Sequence, residues 1–126
     1  GFECNTHSLI YSGWKGSWVE GNDKFCEKIN QKFDFAIGKS INLSNSFVTK
    51  DNVNDLVNNL APDGIDLLSI DIDGNDYYIV EKALELGYLP SIFICEYNAT
   101  YGPSRSITIP YSSNFNYEYN RIIKNF

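Results

Sequence analysis

The stretch Ile65-Asp-Leu-Leu-Ser-Ile-Asp71 constrains this chain most, because it is a short, mostly apolar run that stops on an acid. A strand with one face in water alternates apolar and polar residues, whereas a run of this kind suits a strand covered on both faces. Asp73-Gly-Asn-Asp76 follows as a turn, leading into a helix over about 77–86 that Gly87 closes as its C-cap. Ser91-Ile-Phe-Ile-Cys-Glu-Tyr97 is a second run of the same kind. Strand, helix and strand in that order make a parallel crossover.

The same alternation extends upstream. Ser17-Trp-Val-Glu20, preceded by Gly13 and Gly16, reads as a strand ending on an acid. Asn22 or Asp23 caps a helix through about Phe33, with Phe25, Cys26, Ile29 and Phe33 along one face. Phe33-Asp-Phe-Ala-Ile37 alternates with period two and is expected to be a strand; residues 38–47, rich in Ser and Asn, are expected to be a loop. Thr49 or Asp51 caps a helix to about Leu60 with a stripe of Val53, Leu56, Val57 and Leu60, stopped by Ala61-Pro-Asp-Gly64. The expected fold is α/β: a Rossmann-like, doubly wound, mostly parallel sheet with helices on both faces, incomplete at both ends. All 126 residues are expected to form one domain, of which residues 99–126 are a loop-rich tail with a helix over about 117–126.

Composition narrows the function classes. A formal charge of −6 argues against a domain that grips nucleic acid phosphates, although a local helix N-terminus can still hold an anion. Three cysteines at unrelated spacings, with no CxxC pair, support neither a zinc nor a redox site and point to a reducing, cytoplasmic compartment. Cys95, inside an apolar run, reads as a buried small hydrophobe. No apolar stretch approaches the roughly 18–20 residues of a membrane span. A small-molecule or glycan substrate is the expected partner.

In an open parallel sheet, ligands bind outside the carboxyl ends of the strands. Here those ends carry Glu20, Asp71 with Asp73, and Glu96 with Asn98. An acid ending the second strand of a nucleotide-binding unit, about 20 residues after a glycine turn, accepts both ribose hydroxyls; Gly1 stands where the last such glycine would be. The plain alternative for Glu20 is a solvated strand end. Asp71 and Asp73, at i and i+2, point to one side of an extended chain and can bind a divalent cation, anchor an ammonium or act as a general base. Asn75 and Asp76 fit helix capping. Glu96 and Asn98 face the cleft or only tie a loop. His7, the sole histidine, is a conceivable base or an incidental residue. Tyr101 and Tyr111, near Gly102-Pro103, could line a pocket or simply pack.

Several of these segments together resemble a family. Gly13-Trp-Lys-Gly16 leading into Ser17-Trp-Val-Glu20, Ser46-Phe-Val-Thr49, Leu68-Ser-Ile-Asp-Ile-Asp-Gly-Asn-Asp-Tyr77, Ile94-Cys-Glu-Tyr-Asn98 and Ile109-Pro-Tyr111 are similar to signatures of FkbM-type and related class I methyltransferases. The resemblance runs through about Phe115 and implies a Rossmann-like fold, S-adenosylmethionine as cofactor, and methyl transfer to the oxygen of a sugar or small molecule. It implies that Glu20 holds the cofactor's ribose and that Asp71, with Asp73 beside it, attends the methionine end. Two departures accompany it: the glycine-rich first strand is represented by Gly1 alone, and the tail after Phe115 does not match the strands expected there. For a hydroxyl acceptor the base candidates are Asp73, Glu96 and His7, and a divalent ion at Asp71, Asp73 and Asn98 could instead acidify the hydroxyl. Two other functions compete. Asp71-x-Asp73 also fits a metal-dependent nucleotide-sugar transferase, and a degenerate, non-catalytic domain would only bind a partner.

Overall fold

A computed structural model of the chain describes residues 4–97, 99 and 102–115. Gly1, Asn98, Tyr101 and the helix expected over 117–126 lie outside the described residues. After a 3-10 helix at His7–Ser12, the elements run β1 (Gly16–Glu20), α1 (Asp23–Lys32), β2 (Ile41–Asn45), α2 (Val53–Leu60), β3 (Leu67–Ile70), α3 (Asp76–Glu85) and β4 (Ile92–Cys95). The class is α/β with parallel strands. The strands form two separate pairs: β1 with β2, in register from Gly16↔Ile41 to Glu20↔Asn45, and β3 with β4, from Leu67↔Ile92 to Ile70↔Cys95. Where one continuous sheet was expected, no ladder joins the two pairs among the described residues.

Local chemistry explains where the helices begin. Asn22 Oδ1 accepts from the backbone N–H groups of Lys24 (3.0 Å) and Phe25 (3.3 Å), satisfying donors that the first turn of α1 would otherwise leave open. Ahead of α2, Thr49 and Asn52 exchange side-chain bonds: the Thr49 N–H donates to Asn52 Oδ1 (2.8 Å) and the Asn52 N–H to Thr49 Oγ1 (3.3 Å). That reciprocal pair ties the turn leading into α2, whose N-cap position is Asn52, in the manner of a capping box. Gly87, at φ 84°, follows α3 in the left-handed region that closes a helix without a Cβ clash.

Two expectations fail together between α1 and α2. Residues 33–36 form a bend and turn, Ile37 makes only an isolated bridge to Ile41, and the strand lies at Ile41–Asn45, within the segment read as a loop. The period-two pattern misleads because Phe33 and Ala36, not Phe33 and Phe35, are the buried positions. Ala36 N–H and Ile37 N–H both donate to Phe33 O, which is helical-turn bonding. Phe35 stays exposed and stacks on Tyr11 with ring centroids 6.0 Å apart. β2 is disguised by its polar residues, Asn42, Ser44 and Asn45; pairing with β1 and the burial of Ile41 decide its conformation.

Each pair has its own apolar contacts. Beside β1 and β2, Cys26, Phe33, Ala36 and Ile41 are buried, and the Trp18 ring meets Phe33 edge-on at 5.1 Å. Phe25, expected on the buried face of α1, is instead exposed beneath Lys28 Nζ, 5.6 Å from its ring centre. Beside β3 and β4, Val53 of α2, Ile70 of β3 and Ile79 of α3 form the core, with Val57, Leu68, Val80 and Phe93 packed around them. Among the described residues, no helix is long and apolar enough to cross a membrane.

Ile79, 2% exposed, is central to the larger core. Ile79→Ala should lower unfolding free energy by about 2–5 kcal/mol, as a methylene loss plus an unrelaxed cavity does elsewhere. Urea unfolding followed by circular dichroism measures it, and a loss below about 1 kcal/mol would mean that this core is loosely packed.

Candidate functional site

The carboxyl ends of β3 and β4 lie side by side because those strands are parallel and paired up to Ile70↔Cys95. The chain after each strand carries acids, so Asp71, Asp73 and Glu96 bring carboxylate oxygens within 4.8 Å of one another. Asp71 and Asp73 do converge, but not as successive positions of a strand. β3 ends at Ile70, and Asp73 adopts φ 57°, a left-handed conformation that aspartate tolerates better than most side chains. Glu96, which the sequence suggested as a base and as a residue facing the cleft, is the third member of the cluster.

Asp76 holds this turn. Its Oδ1 accepts from the Ile72 N–H and its Oδ2 from the Gly74 N–H, both at 2.8 Å. Buried at the first residue of α3, the carboxylate also complements the positive end of that helix. Asn75 precedes the helix but does not cap it with its side chain. Its Nδ2 donates to Ser112 O (2.8 Å) and its Oδ1 accepts from the Ser112 N–H (3.5 Å).

Those bonds are one of several ties holding residues 109–115 as a strap. Tyr78 Oη donates to Ile109 O (2.7 Å), and Tyr111 Oη accepts from the Lys50 N–H (3.0 Å). The Tyr78 and Tyr111 rings meet at 5.4 Å, with Lys50 Nζ 5.6 and 5.9 Å from their centres and 3.4 Å from Glu81 Oε2. Tyr111 therefore anchors the strap rather than joining the carboxylate cluster.

Glu20 ends β1, with Oε1 accepting from the Asn22 N–H at 2.8 Å. The other carboxylate oxygen retains acceptor capacity. His7 stands elsewhere: its Nδ1 is 3.0 Å from Cys4 O and its ring lies 6.3 Å from Phe33, next to α1. Cys95 is exposed rather than buried, because the outer ends of β4 are open.

The electrostatics follow from crowding. Glu96 has its carboxyl raised above the ordinary glutamate range by partial desolvation, by the charges of Asp71, Asp76 and Asp73, and by a hydrogen bond with Asp71. Desolvation and the acids Asp76, Glu96 and Asp71 push the Cys95 thiol up as well. Such a cluster favours a proton or a cation between its oxygens. It can hold a divalent ion, anchor an ammonium or accept a proton from a hydroxyl. No sequence motif announces Glu96 as a partner of Asp71; the parallel pairing of β3 and β4 creates that contact.

Two predictions test this construction. Asp76→Ala strands two backbone donors and should cost about 2–4 kcal/mol of stability, whereas Asn, which keeps one acceptor, should cost less; thermal and urea unfolding compare them. A raised Glu96 binds its proton more tightly in the folded state. Stability should thus fall as pH rises from its ordinary value near 4.5 through the raised one, and Glu96→Gln should flatten that slope. Urea unfolding between pH 4 and 8 reads the difference, and parallel slopes would contradict the crowding.

No protein-family model matches the chain, and comparison with curated proteins and with solved structures gives no match.

Proposed function

We propose that this chain is a methyltransferase domain that uses S-adenosylmethionine to methylate a hydroxyl of a sugar or other small molecule. The observation that carries the reading is the carboxylate cluster of Asp71, Asp73 and Glu96 at adjoining carboxyl ends of parallel strands. Three exposed carboxylates this close together are complementary to the cationic methionine end of such a cofactor. Glu20, with acceptor capacity left on its carboxylate, suits the ribose hydroxyls. Both expected roles thus have chemically suitable groups. The proposal includes a doubly wound arrangement of the two strand pairs, supported by their parallel sense and by the acids at the carboxyl ends of β1, β3 and β4.

When bound, the cofactor supplies an electrophilic methyl group. The protein's part is to orient the acceptor and remove its proton. Glu96, whose carboxyl is raised above its ordinary range, is the base we favour, with Asp73 beside it in the cluster. His7 is placed differently, with Nδ1 3.0 Å from Cys4 O and its ring 6.3 Å from that of Phe33.

A second reading has its own support. Three carboxylates within 4.8 Å also suit a divalent cation, as a metal-dependent nucleotide-sugar transferase would require. That reading leaves Glu20 without a role. Calorimetry with S-adenosylhomocysteine, and separately with UDP-glucose plus manganese, distinguishes them. Saturable S-adenosylhomocysteine binding, weakened at least tenfold by Glu20→Ala and by Asp71→Asn, is the expected result. Binding of UDP-glucose only with manganese would replace it with the transferase, and no binding of either would leave a non-catalytic domain.

A further inference from the structure

Four successive residues after β3 make four different connections. Asp73 contributes to the carboxylate cluster, Gly74 lies against the Phe115 ring, Asn75 ties to Ser112, and Asp76 accepts from the turn's own backbone. The acidic cluster and residues 109–115 are therefore joined to the same short stretch of chain. That stretch is strained, with Asp73 at φ 57° and Gly74 at φ 142°. Such angles persist only where surrounding contacts determine them. Asp76 supplies two of those contacts, and the strap supplies more.

A Cβ on Gly74 would run into Phe115, so the ring lies directly on the backbone there. Asn75 is 6% exposed, and both ends of its amide are used on the backbone of Ser112. Were the strap to leave, the turn would have to move to hydrate that amide or keep it buried without partners. The strap is nevertheless built to detach. Residues 102–115 contain no helix or strand, and of them only Gly102, Ile109, Tyr111 and Phe115 are as much as half-buried. Its ties are single side-chain bonds, from Asn75 to Ser112, Tyr78 to Ile109 and Tyr111 to Lys50, and ring contacts. A segment with few buried contacts and no ladder opens at low cost.

We propose that residues 109–115 are a closing strap whose docking fixes the geometry of the 73–76 turn, so that strap closure and ligand binding at Asp71, Asp73 and Glu96 favour each other. The ligand is the cofactor, an assignment that rests on the methyltransferase reading. Tyr78 and Tyr111 are then positioning residues, acting on the cluster through the strap and the turn. Coupling of this kind is reciprocal: whatever the strap adds to ligand affinity, the ligand adds to strap closure.

Tyr78→Phe and Tyr111→Phe each remove one strap bond and leave Asn75, Asp76 and Phe115 intact. In NMR spectra of the full chain, the Ile72 and Gly74 amide protons report their bonds to Asp76. Both should shift toward unbonded values in the two strap variants. They should stay in place in Tyr88→Phe, which loses a hydroxyl bonded to Asn54 and Asn58 outside the strap. A general loss of stability leaves native-state shifts where they are, so it does not imitate this result. Calorimetry then follows S-adenosylhomocysteine, whose affinity should fall about fivefold or more in each strap variant. Saturating S-adenosylhomocysteine should slow chymotrypsin cleavage after Tyr111 and Phe115 by a similar factor, since cleavage there requires the strap to open. Amide shifts indifferent to both strap variants overturn the proposal. So does S-adenosylhomocysteine binding that is equally tight in wild type and variants, and in that case the methyltransferase reading stands. If the shifts move but S-adenosylhomocysteine never binds, the methyltransferase reading falls and the strap's hold on the turn is upheld.

Discussion

The Asp76 carboxylate is the interaction on which the acidic site depends. By accepting from Ile72 and Gly74 it closes the chain on itself immediately after β3. The turn is tight enough to require a left-handed Asp73 and a glycine at φ 142°. Such conformations persist only where surrounding bonds determine them, and a buried bidentate acceptor supplies that determination. Three consequences share this one carboxylate. Asp73 is turned back toward Asp71 and Glu96, Gly74 is left open for the Phe115 ring, and α3 starts with an acid at its positive end.

The carboxylates themselves are a standing electrostatic cost. Partial desolvation and the like charges of Asp71, Asp76 and Asp73 hold the Glu96 carboxyl above the ordinary glutamate range. Folding by itself does not demand this arrangement, since the backbone of the turn is satisfied by Asp76. The crowding is understandable if a positive charge completes the cluster, whether an ammonium, a sulfonium or a metal ion. This is the physical content common to the two enzymatic readings, which differ in the use they make of Glu20.

Much of the architecture was legible wherever a helix or turn has a local cause. Asn22 and Gly87 bound their helices, and Thr49 fixes the turn ahead of α2, for reasons contained within a few residues. The stripe Val53, Leu56, Val57 and Leu60 is buried or half-buried as its spacing requires. Legibility failed where conformation is decided at a distance. Ile41–Asn45 is a strand because β1 lies beside it, and nothing in Ile-Asn-Leu-Ser-Asn announces that. Phe33 and Phe35 look alike in sequence, yet one is buried against Trp18 and the other lies outside on Tyr11. The site divides in the same way. Asp71 and Asp73 were visible as a pair, but their union with Glu96 needs the β3–β4 ladder, and the strap over Gly74 needs contacts spanning 31–61 residues.

The two strand pairs share no hydrogen-bonded ladder among the described residues, so backbone bonds do not set the spacing between them as they would within one sheet. Links across this divide include the Ser17 Oγ bond to Leu60 O at 2.8 Å, between β1 and the end of α2. The Phe47 and Phe115 rings stand on opposite sides of it, one against the turn after β1 and the other against the turn after β3. Where side-chain contacts rather than a ladder join two strand pairs, each pair can open with its own free energy, and amide exchange would then read two local stabilities instead of one.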